Sequence, residues 1–368
     1  MTTYLLFIFA IILLGYICIA LESKFHRPFR VQYIVVVSIL LALQSGLRNV
    51  AVGADTYQYF QRFENIKYTT WESIQSAFVQ YYLFGTGKAP GYDILQKSFQ
   101  FVLPNYQLFL ILIAVLFFSS LGYFIYKNTT RISDAILAYV LYSCLFFSFF
   151  SITGHRQTIA TAASLYAYEF VKKRKFIQFF LIIIVASTVH KSALIFFPFY
   201  FIARLRNVKL FYWAAIFVVP ILMLYRVEFL QLLQYYGGYE RYEPHEATGT
   251  YTFSLMLILV ASVSLWRMNQ VLKRSEMIKP IYLAFLVALL FTPLTWVNPT
   301  AMRAVQYYSI FMLLLLPAII ASFEVQSARF RQLVYTVSLF VLIGLFVRSN
   351  INSVYGFFWQ DMASGANY

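Results

Sequence analysis

The feature that most constrains this chain is a series of continuous apolar runs, most of them about 18 to 20 residues long. A helix of that length crosses a hydrocarbon core about 30 Å thick. The runs do not alternate as the strands of a membrane β-barrel do. Hydrophobic residues make up 61% of the 368-residue chain and charged residues 12%. These values exclude a soluble enzyme, a disordered protein, a secreted disulfide scaffold and a coiled coil. They predict an all-α, polytopic membrane protein.

We predict about twelve transmembrane helices in a single integral membrane domain over residues 1–368. The apolar segments are 4–21, 31–47, 105–126, 134–150, 154–171, 176–190, 192–203, 208–226, 251–268, 280–297, 301–322 and 332–348. Two of them, 176–190 and 192–203, are short and form either two full spans or a broken pair. Cys18 and Cys144 lie inside apolar runs, so neither a disulfide nor a metal site is expected.

The charges on the loops predict the orientation of the chain. With the N-terminus outside, most of the 29 Lys and Arg residues fall on loops predicted inside. The net charge of +15 then follows from topology, and no nucleic acid is needed as a partner. The loops 48–104 and 227–250 and the C-terminus are predicted to lie on the outer face. The sequence has no glycine-rich phosphate loop of the Walker or dinucleotide type, and no cofactor is expected.

Several basic residues lie where the orientation rule does not require them, at the predicted outer ends of spans. They are Arg48, Arg156, Lys191, Arg226, Arg303 and Arg348. A charge well inside a bilayer costs at least about 2.5–3.5 kcal/mol, so it usually pairs or faces water. Arginines that converge at one depth therefore indicate an anionic ligand on the outer side.

The first polar cluster follows Arg48 along the chain. Asp55 or Thr56 can cap a helix that runs through Tyr59. One interpretation is an interfacial arginine followed by a capped surface helix. The functional interpretation is a basic group and a carboxylate held together at the membrane surface.

Two further clusters lie at the ends of later spans. Arg156 and Gln157 open a predicted helix, and a helix N-terminus favours a bound anion. His190 is followed by Lys191 and Ser192. The positive charge of Lys191 is expected to keep His190 neutral, as a general base requires. The alternatives are an arginine that snorkels to the interface and a structural histidine.

The second half of the chain adds two groups of candidates. Arg303 opens a predicted span, and Tyr307 follows one helical turn later. The loop 227–250 mixes tyrosines with charged side chains, at Tyr239, Glu240, Arg241 and Tyr242. Such a mixture suits a sugar through ring stacking and hydrogen bonds, whereas the alternative is an aromatic interface belt.

Together these motifs resemble the EpsG-like family of bacterial polysaccharide polymerases, within the broader Wzy-type group. The resemblance rests on Gly46-Leu47-Arg48, Val52-Gly53-Ala54-Asp55-Thr56 with Tyr59, Gly91-Tyr92, Arg156-Gln157-Thr158-Ile159-Ala160 and His190-Lys191-Ser192-Ala193-Leu194. Order and approximate spacing match from residue 45 to about 200, and more loosely beyond, through the Tyr-rich loop, Arg303 and the tail at 355–359. The chain departs from the family pattern at His155, where we expect Asn or another small polar residue.

The resemblance implies a class C glycosyltransferase-like fold and a substrate on undecaprenyl pyrophosphate. The implied enzyme joins lipid-linked oligosaccharide repeats on the outer face of the bacterial plasma (inner) membrane. Arg48, Arg156 and Arg303 would stabilise the departing pyrophosphate without a metal, and Asp55 or His190 would accept the proton. Residues expected to bind the substrate are Thr56, Tyr59, Gln157, Lys191, Ser192, Tyr239, Glu240, Arg241, Tyr242 and Tyr307. Membrane lipid and a chain-length regulator are expected partners.

Two other functions stay open on the sequence alone. A flippase or other transporter for lipid-linked oligosaccharides is expected to show internal repeats and polar residues deep in several spans. The sequence shows no such repeat. An outer-face polysaccharide ligase would share most of the same chemistry, so the sequence separates it poorly from a polymerase.

Overall fold

The structure is a computed structural model that describes residues 1–53, 55–85, 87, 89–237, 251–325 and 327–362. Over these residues the chain is helical and contains no β-strand, only an isolated antiparallel bridge between Arg48 and Phe357. The prediction of an all-α fold is confirmed. The predicted sugar-binding residues Tyr239, Glu240, Arg241 and Tyr242 lie outside the described residues.

Seventeen α-helices make up most of the described chain. They are α1 (Thr2–Phe25), α2 (Arg30–Gly46), α3 (Thr56–Asn65), α4 (Trp71–Phe84), α5 (Gly91–Val102), α6 (Tyr106–Asn128), α7 (Ile132–Leu145), α8 (His155–Lys172), α9 (Phe176–Val189), α10 (Phe199–Ile202), α11 (Val208–Leu224), α12 (Arg226–Gly237), α13 (Tyr251–Arg274), α14 (Lys279–Phe291), α15 (Met302–Ser309), α16 (Met312–Ser322) and α17 (Ala328–Ser349). A π-helical turn, Ser148–Ile152, precedes α8, and a 3₁₀ segment, Lys191–Phe196, follows α9.

Within the described chain, five helical segments are long and apolar enough to cross a membrane. They are Thr2–Phe25, Tyr106–Asn128, Tyr251–Arg274, Glu276–Trp296 and Ala328–Ser349. Two helix pairs, bent by 87° after Leu224 and by 52° after Ser309, raise the number to seven if each is one span. Shorter apolar helices, among them α2, α7 and α9, add to these. The protein is therefore a multi-pass membrane protein, and the number twelve stays a prediction.

The chain packs as two compact units. The first unit comprises Met1–Leu194 and Thr336–Tyr368, and the second comprises Ile195–Tyr335. In the first unit α2 packs against α6, α6 against α8, α8 against α9, and α1 against α7. In the second unit α11 and α15 pack against α14, and α13 packs against α16.

One end of the first unit, the Met1 end, brings together segments far apart in sequence. The amino group of Met1 donates to the carbonyl oxygen of Ser353. The backbone N–H of Asn49 donates to the carbonyl oxygen of Gly356 at 2.8 Å, and that of Phe358 to Leu47 at 2.9 Å. The N-terminus, the start of the 48–104 segment and the C-terminal tail therefore share one end of this unit. This agrees with the predicted alternation of the spans.

The opposite end of the first unit gathers basic residues. Nη1 of Arg30 donates to the carbonyl oxygen of Thr129 at 2.8 Å. Nζ of Lys172 donates to Oδ1 of Asn128 at 2.7 Å and pairs with Glu169 at 2.6 Å. Arg30 and Lys172 are both predicted to lie on the inner side, and the structure places them at the same end.

The predicted outer segment 48–104 is largely helical. It contains α3, α4 and α5, and a Thr70 hydroxyl caps α4 by accepting the Ser73 N–H at 3.1 Å. The helices α3 and α5 rest on the first turns of α6 through a buried aromatic cluster that includes Phe63, Tyr92 and Phe109. Burial of these rings removes a large apolar area from water and holds both helices against α6.

A buried arginine in the second unit is held by contacts with neighbouring residues. Arg267 is 3% exposed, and its Nε and Nη2 donate to the hydroxyl and carbonyl oxygens of Ser322 at 3.1 and 2.8 Å. Its guanidinium carbon lies 4.3 Å from the ring centre of Phe323. Nearby, Glu324 pairs with Arg274 and Arg331. These contacts hold three of the arginines that the sequence predicts to lie at or near the inner side.

Candidate functional site

Arg48 lies inside the first unit, with only 2% of its surface exposed. Its Nη1 donates to the carbonyl oxygen of Ser45 at 2.5 Å. Its Nη2 donates to the carbonyl oxygen of Ile152 at 3.2 Å and contacts Nε2 of His155 at 2.9 Å. The arginine therefore joins the end of α2 to the start of α8. Its guanidinium is directed at protein acceptors.

The turn before α3 reaches the same carbonyl. Thr56 is fully buried, and its single hydroxyl proton is shared between two carbonyl oxygens. That of Val52 lies 2.7 Å from the hydroxyl oxygen and that of Ile152 lies 3.1 Å from it. Gly53 has a φ of +100°, and a Cβ there would lie 2.5 Å from a side-chain carbon of Ile152. Only glycine fits this turn without strain. Asp55, at the N-terminus of α3, is half-buried, and its side chain does not cap the helix.

Three aromatic rings meet at the start of α8. The ring of Tyr59 stacks on His155 with centroids 4.2 Å apart and an interplanar angle of 15°. The hydroxyl of Tyr92 lies 3.2 Å from Nδ1 of His155, and the Tyr92 ring meets Tyr59 edge to face at 5.5 Å. Burial raises the pKa of the Tyr92 phenol well above its usual value, so this side chain stays neutral.

The guanidinium of Arg156 links α8 to two other segments. Its Nε donates to the carbonyl oxygen of Val189 at 3.0 Å, and its Nη2 donates to that of Ala89 at 2.8 Å. Gly91 permits this arrangement, because a Cβ there would lie 2.6 Å from the carbonyl oxygen of Thr188. The start of α5 and the end of α9 thus approach closely, and Arg156 binds the carbonyls on both sides.

The 190–192 motif lies against α8 as well. The hydroxyl of Ser192 donates to Oε1 of Gln157 at 3.2 Å, and both side chains are buried. His190 follows α9 in an extended conformation, so the helix stops there. His190 and Lys191 are half-buried. Gln157 and Ser192, which the sequence analysis named in separate motifs, are therefore in direct contact.

An ion pair that the sequence analysis did not identify lies on the same face. Arg62 on α3 donates from Nε and Nη2 to the two carboxylate oxygens of Asp93 on α5, at 2.8 and 2.7 Å. The side chains are 32% and 19% exposed. The guanidinium carbons of Arg62 and Arg156 each lie 6.0 Å from the ring centre of Tyr92.

The remaining predicted site residues belong to the second unit. Arg303 is half-buried in the first turn of α15. Tyr307, on the same helix, is 1% exposed and forms part of the core of that unit. Among the described residues no group of three or more His, Cys, Asp or Glu side chains is arranged to hold a metal ion.

The sequence analysis missed four residues of this face as site residues: Arg62, Tyr92, Asp93 and His155. Two signals for them were present in the sequence. Tyr92 belongs to the Gly91-Tyr92 motif, and His155 is the position at which the chain departs from the family pattern. Nothing in the sequence marks Arg62 and Asp93 as partners, because they are separated by 31 residues and a whole helix.

The comparison with known families gives one match. The model of the EpsG family matches residues 31–361, which is nearly the whole chain and includes all the motifs described above. Neither a curated protein nor a solved structure gives a significant match. The chain belongs to the EpsG family and is a membrane protein of polysaccharide biosynthesis.

Proposed function

We propose that this protein is a glycosyltransferase that polymerises oligosaccharide repeats carried on undecaprenyl pyrophosphate. The reaction would take place at the outer face of the bacterial plasma membrane. The bond between the donor's reducing-end sugar and its pyrophosphate breaks, and a hydroxyl of the acceptor repeat forms the new glycosidic bond. The hydroxyl proton passes to a base, and the lipid pyrophosphate leaves with the bonding electron pair.

The observation that carries this proposal is the placement of Arg156. Two backbone carbonyls fix its Nε and Nη2, while Nη1 makes no hydrogen bond to any described residue. An arginine fixed in this way presents donors to an anion without reorganisation, and it stabilises charge that develops on a leaving group. Tyr59, whose ring stacks on His155, is proposed to bind the substrate beside this arginine.

Asp55 and His190 stay the two candidates for the base. Asp55 is one residue before the buried Thr56 at the start of α3, and His190 is one residue after the last turn of α9. We include Arg303 among the groups that contact the pyrophosphate, and Lys191 among those that bind the substrate. The Tyr239 to Tyr242 segment is proposed to bind sugar.

The test is deletion of the gene in the source bacterium, followed by gel analysis of its polysaccharide. A polymerase predicts loss of the long ladder with a single repeat unit retained on the surface. Loss of all repeats at the surface would indicate a flippase, and normal chains that are not transferred to their final carrier would indicate a ligase. Complementation with the wild-type gene should restore the ladder, whereas Arg156→Ala should not.

A further inference from the structure

The ion pair of Arg62 and Asp93 uses only one edge of the guanidinium. The carboxylate of Asp93 occupies the Nε and Nη2 edge of the guanidinium, and Nη1 makes no hydrogen bond within the described chain. With 32% of the Arg62 side chain exposed, this nitrogen is within reach of a ligand. Asp93 therefore fixes the direction of the guanidinium and leaves one of its nitrogens available.

Arg156, on α8, is held in a similar way. Backbone carbonyls take the place of Asp93 on its Nε and Nη2, and Nη1 is again the nitrogen without a bond to a described residue. Arg48 differs, because it is only 2% exposed and both its Nη1 and Nη2 are bonded to protein acceptors. Arg62 and Arg156 are thus the two arginines of this face that can reach a ligand.

The distances to the ring of Tyr92 limit how far apart the two arginines can be. Each guanidinium carbon lies 6.0 Å from the ring centre, so the two are separated by no more than twice that distance. A diphosphate group has two phosphate centres, so over most of this range it can place one phosphate on each arginine. A single phosphate contacts both arginines only in the shorter part of the range. The buried ring is uncharged and adds no competing negative charge.

We propose that Arg62 and Arg156 form a two-armed site for a diphosphate group, with Asp93 as the positioning residue that holds Arg62. The two guanidinium charges exceed the one carboxylate, so the site is positive overall. The inference rests on the proposed function for its ligand, and it adds Arg62 to the residues that contact that ligand. It also assigns Arg48 to the support of the site.

The test measures binding of inorganic pyrophosphate to the purified full chain by titration calorimetry. The wild type should bind pyrophosphate more tightly than inorganic phosphate. Arg62→Gln and Arg156→Gln should each weaken pyrophosphate binding about 10- to 100-fold, the effect of losing a hydrogen bond to a charged group. In both variants the preference for pyrophosphate over phosphate should disappear. Equal binding of the two anions by the wild type would overturn the proposal.

A double variant separates the ligand role of Arg62 from a structural one. Arg62→Met with Asp93→Leu replaces the ion pair by apolar side chains and leaves no unpaired charge. We expect its melting temperature to match that of the wild type while pyrophosphate binding falls as in Arg62→Gln. Unchanged binding in this variant would show that the pair is only structural. Lys67→Gln, which removes one exposed charge near α3, is the matched control and should bind normally. If Lys67→Gln loses as much pyrophosphate binding as the arginine variants, the loss comes from the overall charge of this region, and the proposed site is refuted.

Failure of this inference can be told apart from failure of the proposed function. If gene deletion removes the ladder but Arg62→Gln still binds pyrophosphate, the second arm is wrong and the function stands. If pyrophosphate binding requires both arginines but deletion leaves the ladder unchanged, the anion site stands and the function is wrong.

Discussion

Nη2 of Arg48 donates a hydrogen bond to Nε2 of His155, 2.9 Å away and shielded from solvent. A guanidinium can only donate, so Nε2 must be the unprotonated nitrogen of a neutral ring. The proton of His155 is then on Nδ1 and is donated to the hydroxyl oxygen of Tyr92 at 3.2 Å. The network fixes the tautomer of His155 and makes this ring a structural link between α2, α5 and α8.

The first prediction concerns this link. His155→Phe keeps an aromatic ring against Tyr59 but leaves Arg48 without one of its acceptors. We expect it to lower the free energy of unfolding by about 1–3 kcal/mol, the cost of a buried unsatisfied donor. His155→Asn should be milder, because its amide oxygen can accept from Arg48. Thermal unfolding in detergent compares the two variants. A phenylalanine variant as stable as the wild type would contradict the network.

The second prediction concerns the close approach of α5 and α9. In Gly91→Ala the new Cβ would lie 2.5 Å from the hydroxyl oxygen of Thr188, so the two helix ends must separate. We expect destabilisation of about 1–3 kcal/mol and a loss of polymer, since Ala89 and Val189 would no longer bracket Arg156.

Gly344→Ala is the matched control for this substitution. Gly344 lies in α17, and nothing lies within 4 Å of a Cβ placed there. Alanine should therefore be neutral, or stabilising by up to about 1 kcal/mol through helix propensity. Melting temperatures that fall equally in both variants would show that the contact with Thr188 has no special importance.

The third prediction concerns Arg156→Lys. A lysine keeps the charge but lacks the planar guanidinium, in which Nε and Nη2 bond the carbonyls of Val189 and Ala89 and a third nitrogen stays available for a ligand. We expect this variant to make as little polymer as Arg156→Ala, with similar amounts of protein in the membrane. Gel ladders of complemented deletion strains provide the measurement. A ladder of normal length from Arg156→Lys would refute the role assigned to the guanidinium.

The fourth prediction assigns the base. A histidine that acts as a base must be neutral, so the rate should fall when acid protonates it. If His190 is the base, His190→Gln should lose this acidic limb and most of its rate, whereas Asp55→Asn should keep the limb at a reduced rate. The pH–rate profile of polymerisation in membranes tests this. A near-normal rate in His190→Gln would leave Asp55 as the candidate.

The fifth prediction concerns metal ions. In the proposed mechanism arginines stabilise the leaving pyrophosphate, which is the role that a divalent cation has in many phosphate-transfer sites. We therefore expect the purified protein to polymerise lipid-linked repeats in the presence of EDTA at the same rate as without it. An activity that disappears with EDTA and returns with added magnesium would contradict the arginine mechanism.

The parts of the site that the sequence predicts best are those set by local pattern. Apolar runs predicted the helical membrane architecture, and the order of polar motifs indicated that Thr56, Tyr59 and Gln157 belong to one region. The contact between Gln157 and Ser192 joins two of the predicted substrate-binding residues. Local pattern suffices here because each motif lies at the end of an apolar helix, where chain direction limits its position.

The sequence does not predict the side-chain contacts that depend on how the helices pack against one another. Arg48 follows an apolar run and resembles an exposed interfacial arginine, yet the turn at Gly53 and the start of α8 enclose it. Likewise, the partner of Arg62 depends on how α3 and α5 pack on α6, which no short motif encodes.

The pairing of the C-terminal tail with residues 47–49 has a consequence for biogenesis. Asn49 and its partner Gln360 are separated by 311 residues, and Tyr355 is as far from Gln44, whose carbonyl oxygen its hydroxyl contacts. At about 5–20 residues per second, ribosomes need roughly 15 to 60 s to make the intervening chain. The backbone beside Arg48 thus lacks its hydrogen bonds to the tail while the other helices are inserted. These hydrogen bonds form only after the tail has been made and has reached the same side of the membrane as residues 44–49.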